Sequence, residues 1–330
     1  MNGLERTVRR VDRYQQRHAV LGFPFAVMQK FGNDQAGAKA ALIAYYGLFA
    51  LFPLLLLLTT ILGFLLSGHP GFRDQVLRSA LADFPIIGGQ LRSASHSLRG
   101  SGTALAVGVA GTVYGTFGIG QAAENAMNTV WNVPFVDWPS LVSRRLRGLA
   151  IIVLLGLATF VSAGLDGFAQ AVTHGMVTTV AVYAVSTAVN FAIFAGAFTV
   201  LTAATVRLKD TLVGAVVATI AWQVLQGLGT WYVSREVRHA SPTYGFFAIV
   251  IALLSWLYMG AHTTLLAAEV NVVLRHRLWP RSLTQPPLTG GDKATFERLS
   301  AMTRRRPEMV VEVSYTPAAD EDPLSGGAAP

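Results

Sequence analysis

The chain has no cysteine among its 330 residues. That excludes a disulfide framework, a thiolate nucleophile and any Cys-ligated metal. It is also poor in charge. Asp, Glu, Lys and Arg supply 13% of the residues, where soluble domains carry about 25%. Hydrophobic residues supply 52% and the mean hydropathy is +0.45, so an ordinary water-soluble domain is excluded and an integral membrane protein is expected. Catalytic signatures are scarce as well. The seven His residues are scattered at positions 18, 69, 96, 174, 239, 262 and 276, with no HExxH motif and no paired His–Asp cluster to hold a hydrolytic metal. Gly115, Gly118 and Gly120 echo a phosphate loop, but no strand precedes them and no Lys-Ser/Thr follows. No feature marks a Ser-His-Asp arrangement. The residues therefore imply no catalytic group, metal or cofactor. The first apolar run starts too late and is too long for a signal peptide.

What the chain does have is six long apolar stretches, at about 41–66, 103–130, 148–170, 177–206, 211–233 and 246–274. The first, as a helix rising about 1.5 Å per residue, exceeds the roughly 30 Å hydrocarbon core. Pro53 lies within it and is expected to kink it. The expected fold is all-α: a basic, interfacial N-terminal segment (1–40), a single bundle of six transmembrane helices (41–274) and a largely disordered tail (275–330). The formal charge is +8. In a soluble protein this excess would suggest nucleic acid; in a membrane protein it points to loops beside anionic lipid, and no nucleic-acid partner is expected. Twenty of the 26 Lys and Arg residues fall in the two terminal segments and the second and fourth loops. This bias predicts that both termini are cytoplasmic.

The most informative stretch is Thr103–Pro134. Gly108, Gly111, Gly115 and Gly118 recur at steps of three and four, a small-residue face that lets another helix approach closely in lipid. On a neighbouring face stand Gln121, Glu124, Asn125, Asn128 and Asn132. Five polar groups on an apolar helix cannot face hydrocarbon cheaply. They act either as hydrogen-bonding glue between helices or as the wall of a polar pathway. The sixth stretch carries His262, Glu269 and Asn271, and the first carries Tyr45 and Tyr46, which suit an aromatic interface belt or the same polar interior. Further polar rows on the third, fourth and fifth stretches favour a polar interior opening towards the cytoplasm. Glu124 and Glu269, both in otherwise apolar spans, are expected at similar depth, lining one cavity.

Three segments carry a family likeness: FPFAVMQKFGNDQAGAKAALIAYYGLFALFPLLLLLTTILGF at 23–64, YGTFGIGQAAENAMNTVWNVP at 114–134, and PTYGFFAIVIALLSWLYMGAHTTLLAAEVN at 242–271. The sequence resembles the YihY / virulence factor BrkB family of bacterial inner-membrane proteins along about residues 20–280. The resemblance implies six helices and a multi-pass place in the bacterial cytoplasmic membrane. Members once bore the label ribonuclease BN, regarded as mistaken, and others have been linked to serum resistance and to lipid or solute export. No catalytic residue carries over from it. Two functional classes follow: a transporter, exporter or flippase moving a lipid or small solute, or a non-transporting scaffold or envelope-integrity factor that its small-residue faces join into a homo-oligomer. A tRNA-processing ribonuclease ranks behind both, because the residues offer no metal-ligand set.

Overall fold

The computed structural model describes residues 3–65, 102–140, 142–144, 146–148, 176–203, 206–235 and 245–316. The expected third span at 148–170 apart from Gly148, most of the first long loop and the last residues from 317 lie outside these. All regular structure among the described residues is helical. The principal helices are α1 (Gly3–Arg17), α2 (Ala19–Asn33), α3 (Ala36–Leu65), α4 (Gly102–Val130), α5 (Met176–Val200), α6 (Leu208–Arg235), α7 (Gly245–His276) and α8 (Gly290–Met302). A short 3-10 turn, Phe135–Asp137, follows α4.

Among the described residues, three stretches are long and apolar enough to cross a membrane: Val180–Val200, Leu208–Gly229 and Val250–His276. Their outward faces are apolar, with Val213, Val216, Ile220 and Val224 exposed on α6 and Ile251, Leu254 and Met259 on α7. Such rows suit lipid rather than water. α7 is the central element, packing against α2, α3, α4 and α6. Its inner face buries Leu253, Trp256, Leu265, Ala268 and Val272.

Among the described residues the most extensive helix pair is α3 with α4, and small residues make it possible. A Cβ on Gly115 would stand 2.6 Å from the Ala50 Cβ, and one on Gly118 would strike the Tyr46 ring. Gly111 is half-buried on the same helix and Gly108 lies a turn earlier. α3 continues through Pro53.

α4 ends in a hydrogen-bonded reversal that the residue spacing did not reveal. The Val133 N–H donates to Asn128 O and the Asn132 N–H to Thr129 O, the two bonds of a Schellman cap. Asn132 takes the left-handed conformation such a cap needs, with φ 49°. It therefore lies past the helix rather than on the polar row where its spacing placed it. Arg277 closes α7 in the same way, with φ 52°.

The expectation of a largely disordered tail from 275 onward is corrected for residues 275–316. α8 opens with a capping box, Thr289 Oγ1 accepting from the Asp292 N–H while the Asp292 carboxylate accepts from the Thr289 N–H. That carboxylate also holds the fully buried Arg281, at 2.8 Å from its Nε. Residues 281–284 then dock on α1. Asp12 accepts from the Leu283 N–H at 3.0 Å, the Ser282 hydroxyl at 3.1 Å and the Thr284 hydroxyl at 3.0 Å. Gln15 donates to Arg281 O at 2.6 Å. Gly22 admits the end of α1, since a Cβ there would lie 2.9 Å from Gln15 O. The prolines of this stretch lie between its ordered contacts, while Gly290 and Gly291 form the first turn of α8.

Candidate functional site

The segments that carry most of the basic residues converge at one end of the bundle. α1 meets residues 281–284 there, and the Val136 N–H donates to Arg304 O at 3.0 Å. The Ala203 N–H donates to Asn128 Oδ1 at 2.8 Å, and Arg147 donates to Thr202 O at 3.1 Å. Two buried ion-pair clusters lie at this end.

The first is built on Lys30. α2 presents Lys30 and Asp34 one turn apart, where an i, i+4 pair shares a helix face. The Lys30 ammonium lies 2.5 Å from Asp34 Oδ2, 2.9 Å from Glu269 Oε2 and 2.7 Å from Val130 O. All three charged side chains are 0% exposed. Each contact has a local cause. Val130 is the last residue of α4, so its carbonyl lacks an intrahelical partner and sits at the negative end of the helix dipole. Lys30 satisfies it. Glu269 reaches the same point from α7. Asn132, turned inward by the Schellman cap, donates to Asp34 Oδ1 at 3.3 Å and to Thr129 O at 3.0 Å. Burial works against the Lys30 charge, but the Glu269 and Asp34 carboxylates outweigh it and raise the ammonium above its ordinary value. One lysine thus ties α2, α4 and α7. Its three donors are spent, while Glu269 Oε1 and Asn132 Oδ1 are buried with no hydrogen-bond partner.

The second cluster is built on Glu124, also 0% exposed. Arg144 Nε stands 3.2 Å from Glu124 Oε2, and Arg147 Nη1 3.9 Å from Oε1. Arg144 also donates through Nη2 to Asn125 Oδ1, and its guanidinium lies 5.7 Å from the centre of the Trp138 ring. Here two cations face one carboxylate; in the first cluster two carboxylates face one cation.

The structure therefore divides the expected residues. Glu269 and Asn132 meet around Lys30. Glu124 and Asn125 meet around Arg144, and the two acids share no partner among the described residues. Asn128 ties α4 to the link after α5. Asn271 accepts from the Gly214 N–H at 2.6 Å and joins α6 to α7. His262 packs its ring against Phe31 and Tyr258. Gln121 and Tyr45 are exposed, and Tyr46 lies half-buried against Gly118. Sequence reasoning missed Lys30, Asp34, Arg144 and Arg147 as site residues. The K-x-x-x-D spacing at 30–34, just ahead of a long apolar run, was the available signal. Among the described residues no three His, Asp or Glu side chains gather as a metal-ligand set.

A family model described as Virulence factor BrkB matches residues 27–288. The chain belongs to that family. The BrkB stretch opens three residues before Lys30 and includes both ion-pair clusters, whereas Asp12 precedes it. Over 286 residues, 83% of the chain, this BrkB-family member is 24% identical to a UPF0761 membrane protein of Halorhodospira halophila, of which it covers 60%. Over 85 residues, 26% of the chain, it is 31% identical to a Bacillus subtilis protein whose name calls it ribonuclease-like, YfkH, of which that match covers 30%. The match thus spans less than two thirds of the length of either relative. No solved structure matches the chain. Family and helices together make this a transmembrane protein.

Proposed function

We propose that this BrkB-family chain is a multi-pass protein of the bacterial cytoplasmic membrane that moves a lipid or small solute between its helices. The observation that carries the reading is the Lys30–Asp34–Glu269 cluster: three fully buried ionisable groups joining three helices. Buried charges are expensive, and a well-packed apolar contact would hold helices together at least as well. Ionisable groups inside a membrane protein therefore favour a working site over simple support. A second, separately paired cluster at the same end fits a bundle whose cytoplasmic side can be sealed or opened.

On this reading six helices cross the membrane and both termini are cytoplasmic. The support is the meeting of α1 with residues 281–284 at the end rich in basic residues. Membrane lipid is the neighbour, a lipid or small solute the cargo, and like chains the partners of a homo-oligomer; nuclease chemistry has no part.

Purified protein reconstituted in liposomes and assayed against a panel of labelled lipids and small solutes tests the proposal. Movement of one class, lost in Glu269→Gln while the variant stays folded, is the expected result. Movement of nothing, by wild-type protein of verified fold and insertion, overturns it in favour of a scaffold.

A further inference from the structure

We propose that the Lys30–Asp34–Glu269 cluster holds one exchangeable proton on its pair of carboxylates, and that this proton is the coupling ion of transport. The second half rests on the transport reading above; the first does not.

The argument begins with charge count. Asp34 and Glu269 are two acids and Lys30 is one base, and all three side chains are closed to solvent. With both acids ionised the cluster carries one uncompensated negative charge, a state that burial penalises heavily. Among the described residues no other cation bonds these carboxylates. His276, further along α7, packs 6.3 Å from the Trp131 ring and is bonded to Arg298 of α8 at 2.7 Å. Arg275 lies 3.5 Å from Asp210 of α6. Among the described residues, the other groups hydrogen-bonded to the cluster are neutral: Val130 O and Asn132, which in turn bonds Thr129 O.

Donor count leads to the same place. Lys30 has three N–H donors, and Asp34, Glu269 and Val130 take all of them. Glu269 Oε1 is left buried without a donor. A proton on that oxygen brings the cluster to one anion and one cation. It also needs no volume, which matters where every side chain is fully covered; a hydrated sodium or potassium ion would have to displace them.

Release is equally constrained. The O–H bond of the carboxylic acid breaks, a water molecule takes the proton, and the new carboxylate is left against Lys30. Water must first reach Glu269, so the junction that Lys30 closes between α2, α4 and α7 has to open. Proton loss and the opening of that junction then become one event, which is what coupling requires.

Infrared spectroscopy of the full-length protein in lipid nanodiscs tests this. Wild type should show a protonated-carboxyl C=O band at neutral pH that shifts in heavy water and fades as pH rises. Glu269→Gln and Asp34→Asn should each lose it, because either leaves one carboxylate for one ammonium. Glu124→Gln, whose acid already faces two arginines, should keep it. Absence of the band in wild type overturns the proposal without need of any variant, as does its survival in both Glu269→Gln and Asp34→Asn. Solute movement without the band would leave transport standing and remove the proton site. A band in protein that moves nothing would keep the site and remove the coupling.

Discussion

Lys30 Nζ lies 2.9 Å from Glu269 Oε2 across 239 residues of chain. That bond joins the helix preceding the first long apolar run to the last one, and α4 ends on the same ammonium. Removing the lysine leaves two buried acids facing each other, so Lys30→Met should destabilise the protein by about 3–5 kcal/mol. Lys30→Met with Glu269→Gln should recover part of the loss, because one buried acid rather than two is then left without the ammonium. A double-mutant cycle on thermal unfolding in detergent measures the coupling. Additive losses would show that the pair contributes nothing specific.

Gly115 lets α4 lie against Ala50 of α3 where a Cβ would not fit. Gly115→Leu should cost roughly 1–3 kcal/mol or more through overpacking against Ala50. Gly227, beside which a Cβ would meet nothing within 4 Å, supplies the comparison: Gly227→Ala should leave the melting temperature unchanged or raised. Equal effects of the two substitutions would show that the α3–α4 contact is not tight.

The Asp12 clamp should loosen in acid. Burial favours the neutral acid, but the bonds from the Leu283 N–H, Gln15, Gln16 and Thr284 outweigh it and hold the carboxyl at about 2, below its usual 3.8. A depressed value stabilises the folded clamp fully above pH 4, and the contribution drains away as pH falls towards 2. Its size is about 2 kcal/mol. Asp12→Asn should remove the contribution at neutral pH. Limited proteolysis around 281–284 should then accelerate in the variant and hardly change in wild type above pH 4.

Reporter fusions check the topology. Fusions at Gly102, Trp138 and Pro280 should read outside, inside and inside. A periplasmic signal after Pro280 would contradict the six-span arrangement, and would also be at odds with the Asp12–Leu283 bond.

The apolar stretches and the helices of α4, α6 and α7 could be read directly, because hydropathy over twenty residues is a strong local signal. The burial of Glu269 was legible for the same reason: an acid within an apolar helix has to turn inward. Its partner was not. Lys30 and Asp34 look like a solvated i, i+4 pair, and nothing local says that α2 will lie against α7. Arg144 and Arg147 counted only towards topology, since a basic loop residue reads as a lipid-facing charge until the fold brings it to Glu124. Thr289-Gly-Gly-Asp292 is a helix-start signature, yet the prolines at 286 and 287 and the glycines at 290 and 291 masked it as a disordered run. Asn132 fitted helical spacing and still fell outside the helix, because a left-handed cap follows the last turn and periodicity cannot register it.

The clamp between Asp12 and residues 282–284 sets an order of events during synthesis. Asp12 leaves the ribosome early, and its hydrogen-bond donor Leu283 follows 271 residues later. At ~5–20 residues per second this leaves α1 without its docking site for roughly 15–55 s. Through that interval Asp12 has Gln15 and Gln16 of its own helix as partners, and beyond them the polar side of α1 meets water or lipid headgroups. Closure of the clamp can come only after the last membrane helix has been made, so protection of Asp12 would date the completion of the bundle.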